Sequence, residues 1–206
     1  MASSRPAGRP SGRKAAVQRE TRETKVSVEL DLDGRGRYDI STGIGMLDHL
    51  LEQMARHGLF DITLDASGDI ARDPHHLVED VGLVLGQAFN EALGERRGIV
   101  RFSHAVVPLD EALALVAVDL GGRGYASIKM TFGRELVGEL PTENIQHLLS
   151  ALANEGRFNL HMRMLAGAND HHRAEAAFKA LARALSAATR IDERIAGEIP
   201  STKDVL

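Results

Sequence analysis

The chain has 206 residues, of which 43% are hydrophobic and 26% charged, a balance typical of a folded globular domain and not of a disordered protein. It contains no cysteine, which excludes disulfides, thiolate metal ligands and cysteine nucleophiles. The formal charge of −4 and the absence of Trp argue against nucleic-acid binding, and no apolar run approaches the roughly 18 residues of a membrane span.

The first twenty residues differ from the rest in composition. Residues 1–20 are rich in Ser, Gly, Pro, Ala and Arg with few bulky apolar side chains, which predicts a disordered N-terminal tail. The tail lacks the apolar stretch of a secretory signal, so a cytoplasmic location is expected. Residues 21–206 are expected to form one domain, with internal halves at about 21–98 and 99–195 and a C-terminal loop at 196–206.

The first half alternates strands and helices. Hydrophobic periodicity predicts strands over 26–32, 35–40 and 60–66, and helices over 46–56 and 74–93. Asp33-Gly34 is a turn signal between the first two strands. Each segment has the length of an ordinary element of a compact domain.

The second half repeats this order. Strands are predicted over 112–120, 125–132 and 158–165, and helices over 141–154 and 171–189. Both halves therefore give a strand-strand-helix-strand-helix unit of about 100 residues. The sequence predicts a duplicated α+β fold.

The two halves share one chemical motif, which begins the last helix of each. The motif is His75-His76-x-x-Glu79 in the first half and His171-His172-x-x-Glu175 in the second, with His49 and His147 on the preceding helices. On a helix, positions i and i+4 share a face, so the first His and the Glu of each motif are neighbours. The adjacent His is rotated by about 100° and could serve a second ion on another side.

These six imidazoles and two carboxylates divide into two metal sites of three imidazoles and one carboxylate. Nitrogen and oxygen donors without sulfur suit Mn, Fe, Co or Zn. Four protein ligands on an octahedral ion leave two open positions, which points to catalysis. A polar surface pair would explain one His-His sequence, but not its repetition with Glu at the same offset.

Basic and hydroxyl side chains at loop positions form a second group, suited to binding a phosphate. The group comprises Arg96, Arg97, Arg101, Arg123, Lys179, Ser201, Thr202 and Lys203. No Walker loop occurs, and no GxGxxG follows a strand. Nucleotide binding of the usual kinds is therefore not expected.

Several segments together resemble the imidazoleglycerol-phosphate dehydratase family. They are TGIGMLDH (42–49), RHGLFD (56–61), HHLVED (75–80), PLDEAL (108–113), HHRAE (171–175), FKA (178–180) and IPSTK (199–203). The resemblance covers about residues 20–206 and implies a lyase of histidine biosynthesis that dehydrates D-erythro-imidazole glycerol phosphate to imidazole acetol phosphate. It also implies four helices packed between two four-stranded sheets, two Mn²⁺ per active site, and a shell of 24 subunits with active sites between subunits.

The resemblance also assigns residues by position. The implied metal ligands are His49, His75, His76, Glu79, His147, His171, His172 and Glu175, the set that the spacing selects. The implied phosphate contacts are Arg101, Arg123, Lys179, Ser201 and Lys203, while Glu23 and Gln53 would contact the rest of the substrate. The catalytic set is Glu23, as the acid/base residue, with His49, His75, Glu79, His171 and Glu175.

Three places depart from the family pattern, one of them Gly45-Met46, which replaces a more aromatic pair. Gly124 stands where the family usually has Pro, and Asp204 stands where Gly is usual. Asp resists backbone conformations that Gly adopts, and it adds negative charge near the expected phosphate. Among the departures, Asp204 is thus the one expected to affect closure of the C-terminal loop most.

The chemical difficulty of the implied reaction is a proton on a glycerol carbon that no carbonyl acidifies. Holding the substrate ring as an imidazolate between two metal ions would make this proton removable, and Glu23 would transfer it. The rival enzyme is a dinuclear metal-dependent hydrolase of a phosphorylated small molecule, in which the same ligands hold a bridging hydroxide. The non-enzymatic alternative is a metal-storing or structural oligomer.

Overall fold

The structure, a computed structural model, describes residues 12–206. The strands are β1 (Lys14–Glu20), β2 (Thr24–Asp31), β3 (Tyr38–Ser41), β4 (Asp61–Gly68), β5 (Phe102–Leu109), β6 (Ala112–Asp119), β7 (Tyr125–Lys129), β8 (Leu136–Val137), β9 (Leu140–Pro141) and β10 (Asn159–Ala166). The helices are α1 (Gly45–Gly58), α2 (His75–Leu93), α3 (Thr142–Glu155) and α4 (Asp170–Thr189), followed by a 3-10 turn at Glu193–Ile195. No helix within 12–206 is long and apolar enough to cross a bilayer.

The two halves build sheets of the same topology. The first sheet has the order β1-β2-β4-β3 and the second the order β5-β6-β10-β7. In each sheet the first three strands pair antiparallel and the last pair is parallel. The parallel pairs are joined by a helix, α1 in the first half and α3 in the second. The duplicated α+β fold is confirmed.

The helices form a layer between the two sheets. α2 packs on β1 and β2, and α4 packs on β5 and β6. Within the layer the helices pair across the halves, α1 with α4 and α2 with α3. Alternation along the strands turns one face of each sheet inward, as with Val26, Val28 and Leu30, which are all buried. The four helices therefore share one core.

Two glycines set the distance between α2 and α3. A Cβ atom at Gly82 would lie 2.6 Å from the carbonyl oxygen of Leu148, and one at Gly86 would lie 2.7 Å from that of Leu152. Both contacts are with backbone, which cannot turn aside as a side chain can. The i, i+4 spacing of these glycines lets the helices carrying His75 and His147 approach closely.

The predicted tail is wrong for the part of it that forms β1. Lys14–Glu20 pairs with β2 along its full length, and Ala15 and Val17 pack against the core. The rest of the predicted tail, 1–11, lies outside the described residues. The first half of the fold therefore begins at β1 and not at residue 21.

Each four-stranded sheet contains one strand more than predicted, and the second half also has the short β8-β9 pair, which was not predicted. β1 in the first half and β5 in the second precede the strands that the sequence analysis identified. The turn at Asp33-Gly34 also does not close a hairpin, because β3 pairs in parallel with β4 and not with β2. The repeated unit is strand-strand-strand-helix-strand-helix.

Candidate metal centre

Helices α1 and α4 bring together two imidazoles and a carboxylate, which we call the first cluster: His49, His171 and Glu175. The Oε2 atom of Glu175 lies 3.3 Å from Nε2 of His171 and 3.7 Å from Nε2 of His49. The two rings are stacked with their centroids 5.5 Å apart. One donor atom from each residue lies within 4.8 Å of both others.

The first cluster fits a divalent transition-metal ion. Two donors that each lie about 2.1 Å from one ion are about 3.0 to 3.4 Å apart at octahedral or tetrahedral angles. The observed separations match this range or exceed it by a few tenths of an ångström. Two imidazole nitrogens and one carboxylate oxygen, without sulfur, are a donor set for Mn, Fe, Co or Zn.

The start of α4 explains why His171 and Glu175 share a face. Asn169 caps this helix, because its Oδ1 accepts hydrogen bonds from the backbone N–H groups of His171 and His172, at 2.9 and 3.4 Å. A cap at this position begins the helix at Asp170, so that His171 and Glu175 lie one turn apart on one face.

Lys179 extends the first cluster by one further turn of α4. Its Nζ lies 2.7 Å from Oε1 of Glu175, and its side chain is 17% exposed. Burial raises the pKa of Glu175, but the hydrogen bond and charge of Lys179, with the charges of His49 and His171, lower it more. Glu175 is therefore ionised at neutral pH, as a metal ligand must be.

The second cluster, His75 and His147, lies where α2 meets α3. Its ring centroids are 4.7 Å apart. Nδ1 of His75 lies 3.1 Å from Oδ1 of the buried Asn144, one turn before His147 on α3. An amide oxygen only accepts hydrogen bonds, so it places the proton on Nδ1 and leaves Nε2 free. Glu79 is half-buried one turn after His75 and has no side-chain partner within residues 12–206.

His76 and His172, the second histidines of the two motifs, join neither cluster. Nδ1 of His76 lies 3.1 Å from Oε2 of Glu23, and both side chains are about 60% exposed. Nδ1 of His172 lies 2.8 Å from Oε2 of Glu111. One chain thus does not bring three imidazoles and one carboxylate together at either cluster, because consecutive helical residues point in different directions.

Sequence reasoning missed Glu111 and Asn144 as partners of these histidines. Hydrogen bonds from His172 and from the backbone N–H groups of Asn169 and Ala168 lower the pKa of Glu111 to about 2. The hydrogen bond and charge of Glu111 in turn raise the pKa of His172. Glu111 lies in the PLDEAL segment, but that segment gives no indication of a contact 61 residues further along the chain.

The expected phosphate contacts fall into two groups. Arg101 donates 2.7 Å to the carbonyl oxygen of Pro200 and pairs with Asp119, so it lies beside Ser201 and Lys203. Its backbone N–H also bonds to the carbonyl of Ala188, nine residues after Lys179, which is about 13 Å along α4. Lys179 therefore does not converge with Arg101 in one chain.

The remaining expected substrate contacts lie on either side of these groups. Arg123 is exposed and has no side-chain partner in the described part of the chain. Gln53 is one turn after His49 on α1, and its Oε1 lies 3.1 Å from Nε2 of His57. Asp204 has a φ of +56°, in the left-handed region that favours glycine. The departure from the family pattern at Asp204 thus falls on a position with a real backbone constraint.

Comparisons with known proteins give one family. The family model for imidazoleglycerol-phosphate dehydratase matches residues 42–185. The imidazoleglycerol-phosphate dehydratase of a Roseiflexus species is 57% identical over 95% of this chain and 98% of its own length. That of Dehalococcoides mccartyi strain CBDB1 is 56% identical over 94% of this chain and 97% of its own length.

Solved structures agree. The imidazoleglycerol-phosphate dehydratase of Staphylococcus aureus is 32% identical, with a TM-score of 0.79 over 87% of this chain and 99% of that one. That of Pyrococcus furiosus, in complex with (S)-C348, is 35% identical, with a TM-score of 0.80 over 92% and 100%. With a family match over most of the chain, close relatives along nearly its full length and the same fold, the chain belongs to the imidazoleglycerol-phosphate dehydratase family of hydro-lyases.

Proposed function

We propose that this chain dehydrates imidazole glycerol phosphate to imidazole acetol phosphate in the histidine biosynthesis of the cytoplasm. Family membership supports the reaction, and all eight histidines and glutamates of the two HHxxE motifs and their preceding helices are present. The observation that carries the proposal is the first cluster, in which His49, His171 and Glu175 converge from two helices with separations that suit one ion.

The site would hold two ions, Mn²⁺ by preference, with Fe, Co or Zn compatible with the same donors. The first cluster would bind one ion, and His75, His147 and Glu79 the other. His76 and His172 would complete these sites in neighbouring subunits, since both lie outside the clusters of their own chain. Bound there, the ions supply the Lewis acidity that favours the imidazolate form of the substrate ring.

Glu23 is the residue to which we assign proton transfer at the glycerol carbon. Its carboxylate is 61% exposed at the turn between β1 and β2 and contacts His76. An exposed carboxylate beside a metal ligand can reach a substrate bound at that ligand. Glu23 would give a proton to the departing hydroxyl, which leaves as water, and would regain a proton from the glycerol carbon.

Two groups of cations would hold the phosphate of the substrate. Arg101 fixes the segment that carries Ser201 and Lys203, and the exposed guanidinium of Arg123 has no partner among residues 12–206 and could bind a ligand. Lys179 lies beside the first cluster, so it would act on the substrate from a different direction. Fixing the phosphate positions the reacting carbon relative to Glu23.

Assembly into a shell of 24 subunits is part of this proposal. Phe102, Val106 and Tyr125 lie on the outer side of the second sheet, where these residues are 57%, 48% and 55% exposed. Exposed apolar side chains grouped on one face are typical of a protein–protein interface. Shared active sites would explain why neither cluster is complete in one chain.

The test is turnover of imidazole glycerol phosphate by metal-stripped protein, with and without Mn²⁺, followed by absorbance of the enolised product. Activity restored by the metal would support both the reaction and the metal requirement. Metal binding without turnover would contradict the substrate. Release of inorganic phosphate would instead favour the dinuclear hydrolase.

A further inference from the structure

Glu111 links three parts of the second half. It lies in the turn between β5 and β6, and its Oε1 accepts the backbone N–H groups of Ala168 and Asn169, at 3.1 and 2.8 Å. Its other oxygen, Oε2, lies 2.8 Å from Nδ1 of His172. The carboxylate thus connects the β5–β6 turn to the loop before α4 and to the second histidine of the motif.

This contact decides which ring nitrogen of His172 carries hydrogen. An ionised carboxylate only accepts hydrogen bonds, so Nδ1 must be the donor. In the neutral ring, Nε2 then carries no hydrogen and keeps its lone pair. A ring in this form can bind a metal ion through Nε2. His172 is 28% exposed and lies outside both clusters of its own chain, so Nε2 is accessible to a site in another subunit.

We propose that Glu111 is a positioning residue, which holds His172 in the Nδ1–H tautomer with Nε2 directed at a metal ion bound in a neighbouring subunit. This inference rests on the proposed metal-dependent function. In this role Glu111 acts only through His172 and does not contact the substrate. Asp110, whose Oδ2 lies 3.7 Å from Nε2, is the group that a bound ion would displace.

Because the fold is duplicated, the first half has a residue equivalent to Glu111. In the first half Glu23 contacts Nδ1 of His76 in the same way, from the turn between β1 and β2. Within residues 12–206 the side chain of Glu23 has this one partner and is 61% exposed, whereas three hydrogen bonds hold the carboxylate of Glu111. The fixed carboxylate suits positioning, and the less restrained one suits proton transfer.

The test replaces the carboxylate by an amide, Glu111→Gln. An amide has one accepting oxygen, and the backbone N–H groups of Ala168 and Asn169 require it, so the NH₂ group faces Nδ1 of His172. This arrangement favours the Nε2–H tautomer, which cannot bind a metal ion through Nε2. Solid-state ¹⁵N NMR of metal-free, histidine-labelled protein distinguishes the two tautomers, and a His172→Gln spectrum assigns the signals.

We expect wild-type His172 to be in the Nδ1–H form and Glu111→Gln to shift it toward Nε2–H. We also expect Mn²⁺ affinity, measured by calorimetry, to fall about 10- to 100-fold. The control is Glu95→Gln, an exposed carboxylate paired with Arg97 beyond the other end of α2, which should change neither reading.

Two results would overturn the inference. One is an Nε2–H ring in the wild-type protein, which needs no variant to observe. The other is a Glu111→Gln protein whose tautomer and Mn²⁺ affinity match those of the Glu95→Gln control. Failure of the wild-type protein to bind Mn²⁺ would instead refute the proposed metal function, while the metal-free NMR spectra still decide the tautomer.

Discussion

Glu23 and its neighbour Glu20 stand three residues apart at the β1–β2 turn, and only Glu23 contacts a histidine. If Glu23 moves the proton, Glu23→Gln should lower kcat by about 10²- to 10⁴-fold with little change in KM. Steady-state kinetics with saturating Mn²⁺ measures both constants. Glu20→Gln, which alters an exposed ion pair with Lys25, should behave as wild type. Unchanged turnover in Glu23→Gln would remove this residue from the mechanism.

Asp61 gives a pH dependence of stability. Burial raises the pKa of its carboxyl, but hydrogen bonds from the Arg37 side chain and from the backbone N–H groups of Arg35 and Arg37 lower it more, to about 2. A native pKa below the ordinary 3.8 means that the ionised form stabilises the fold above about pH 4. This stabilisation is lost as the pH falls through about 2.

We therefore expect Asp61→Asn to lower the free energy of unfolding at pH 6 by about 1 to 2 kcal/mol, because hydrogen bonds to a charged group are lost. The difference from wild type should shrink between pH 4 and pH 2. Urea unfolding at several pH values measures it, with Asp39→Asn on the exposed side of β3 as control. If the variant and the wild type differed in free energy of unfolding by the same amount at pH 6 and pH 3, the lowered pKa of Asp61 would be contradicted.

For individual residues, the sequence predicts the members of the two histidine clusters but not the side chains to which these histidines are hydrogen-bonded. The HHxxE motif and helical geometry are local, so they identify His75, His171 and Glu175 directly. The contacts of His75 with Asn144 and of His172 with Glu111 span 69 and 61 residues. Such contacts depend on how distant helices and loops pack together, which cannot be derived from the spacing of residues within one segment.

Among the elements, the helices were predicted closely, while one strand of each four-stranded sheet and the short β8-β9 pair were missed. All four helices have an apolar face and a cap or turn signal at one end, so their periodicity is clear. β1 and β5 are both edge strands, with one long side unpaired. In β1 the inward positions are Ala15 and Val17, too small to give a strong alternating signal.

The close approach of α2 and α3 predicts that Gly82→Ala destabilises the protein. Alanine raises helix propensity by about 1 kcal/mol. Here, however, the methyl group would lie 2.6 Å from a backbone oxygen and 2.9 Å from Cβ of Ala151. Overpacking of this kind costs about 1 to 3 kcal/mol, so we expect a net loss in urea unfolding.

The matched control for Gly82→Ala is Gly133→Ala. Apart from adjacent residues, the nearest atom to a Cβ atom at Gly133 would be a carboxylate oxygen of Asp170, at 3.6 Å, an ordinary van der Waals contact. We expect its stability to stay within about 0.5 kcal/mol of wild type. A Gly82→Ala protein more stable than both would show that the two helices separate at no cost.

For the whole molecule, the pairing of helices across the halves decides what each chain can supply. The first cluster lies on the α1–α4 pair and the second on the α2–α3 pair. His76 and His172 lie outside both clusters of their own chain and are 60% and 28% exposed. We therefore expect each active site to combine the first cluster of one subunit with the second cluster of another.

Mixed oligomers test this sharing. His75→Asn removes the second cluster and His171→Asn the first, so each variant alone should be inactive. Co-assembled in equal amounts, they should regain about a quarter of wild-type activity, because one interface in about four then joins two intact clusters. Co-assembly of His171→Asn with Glu175→Gln, which both damage the first cluster, should regain none. Equal inactivity of both mixtures would place the two clusters of a site in the same chain.

The same pairing bears on how a chain of two similar halves could arise. Exchanging the halves turns the α1–α4 pair into the α3–α2 pair, so the first cluster takes the place of the second. A homodimer of one ancestral half would therefore already have contained two identical clusters, each with residues from both copies. Fusion into one chain would then keep both clusters and let their surroundings diverge; within residues 12–206, one contact restrains the side chain of Glu23 and three restrain that of Glu111.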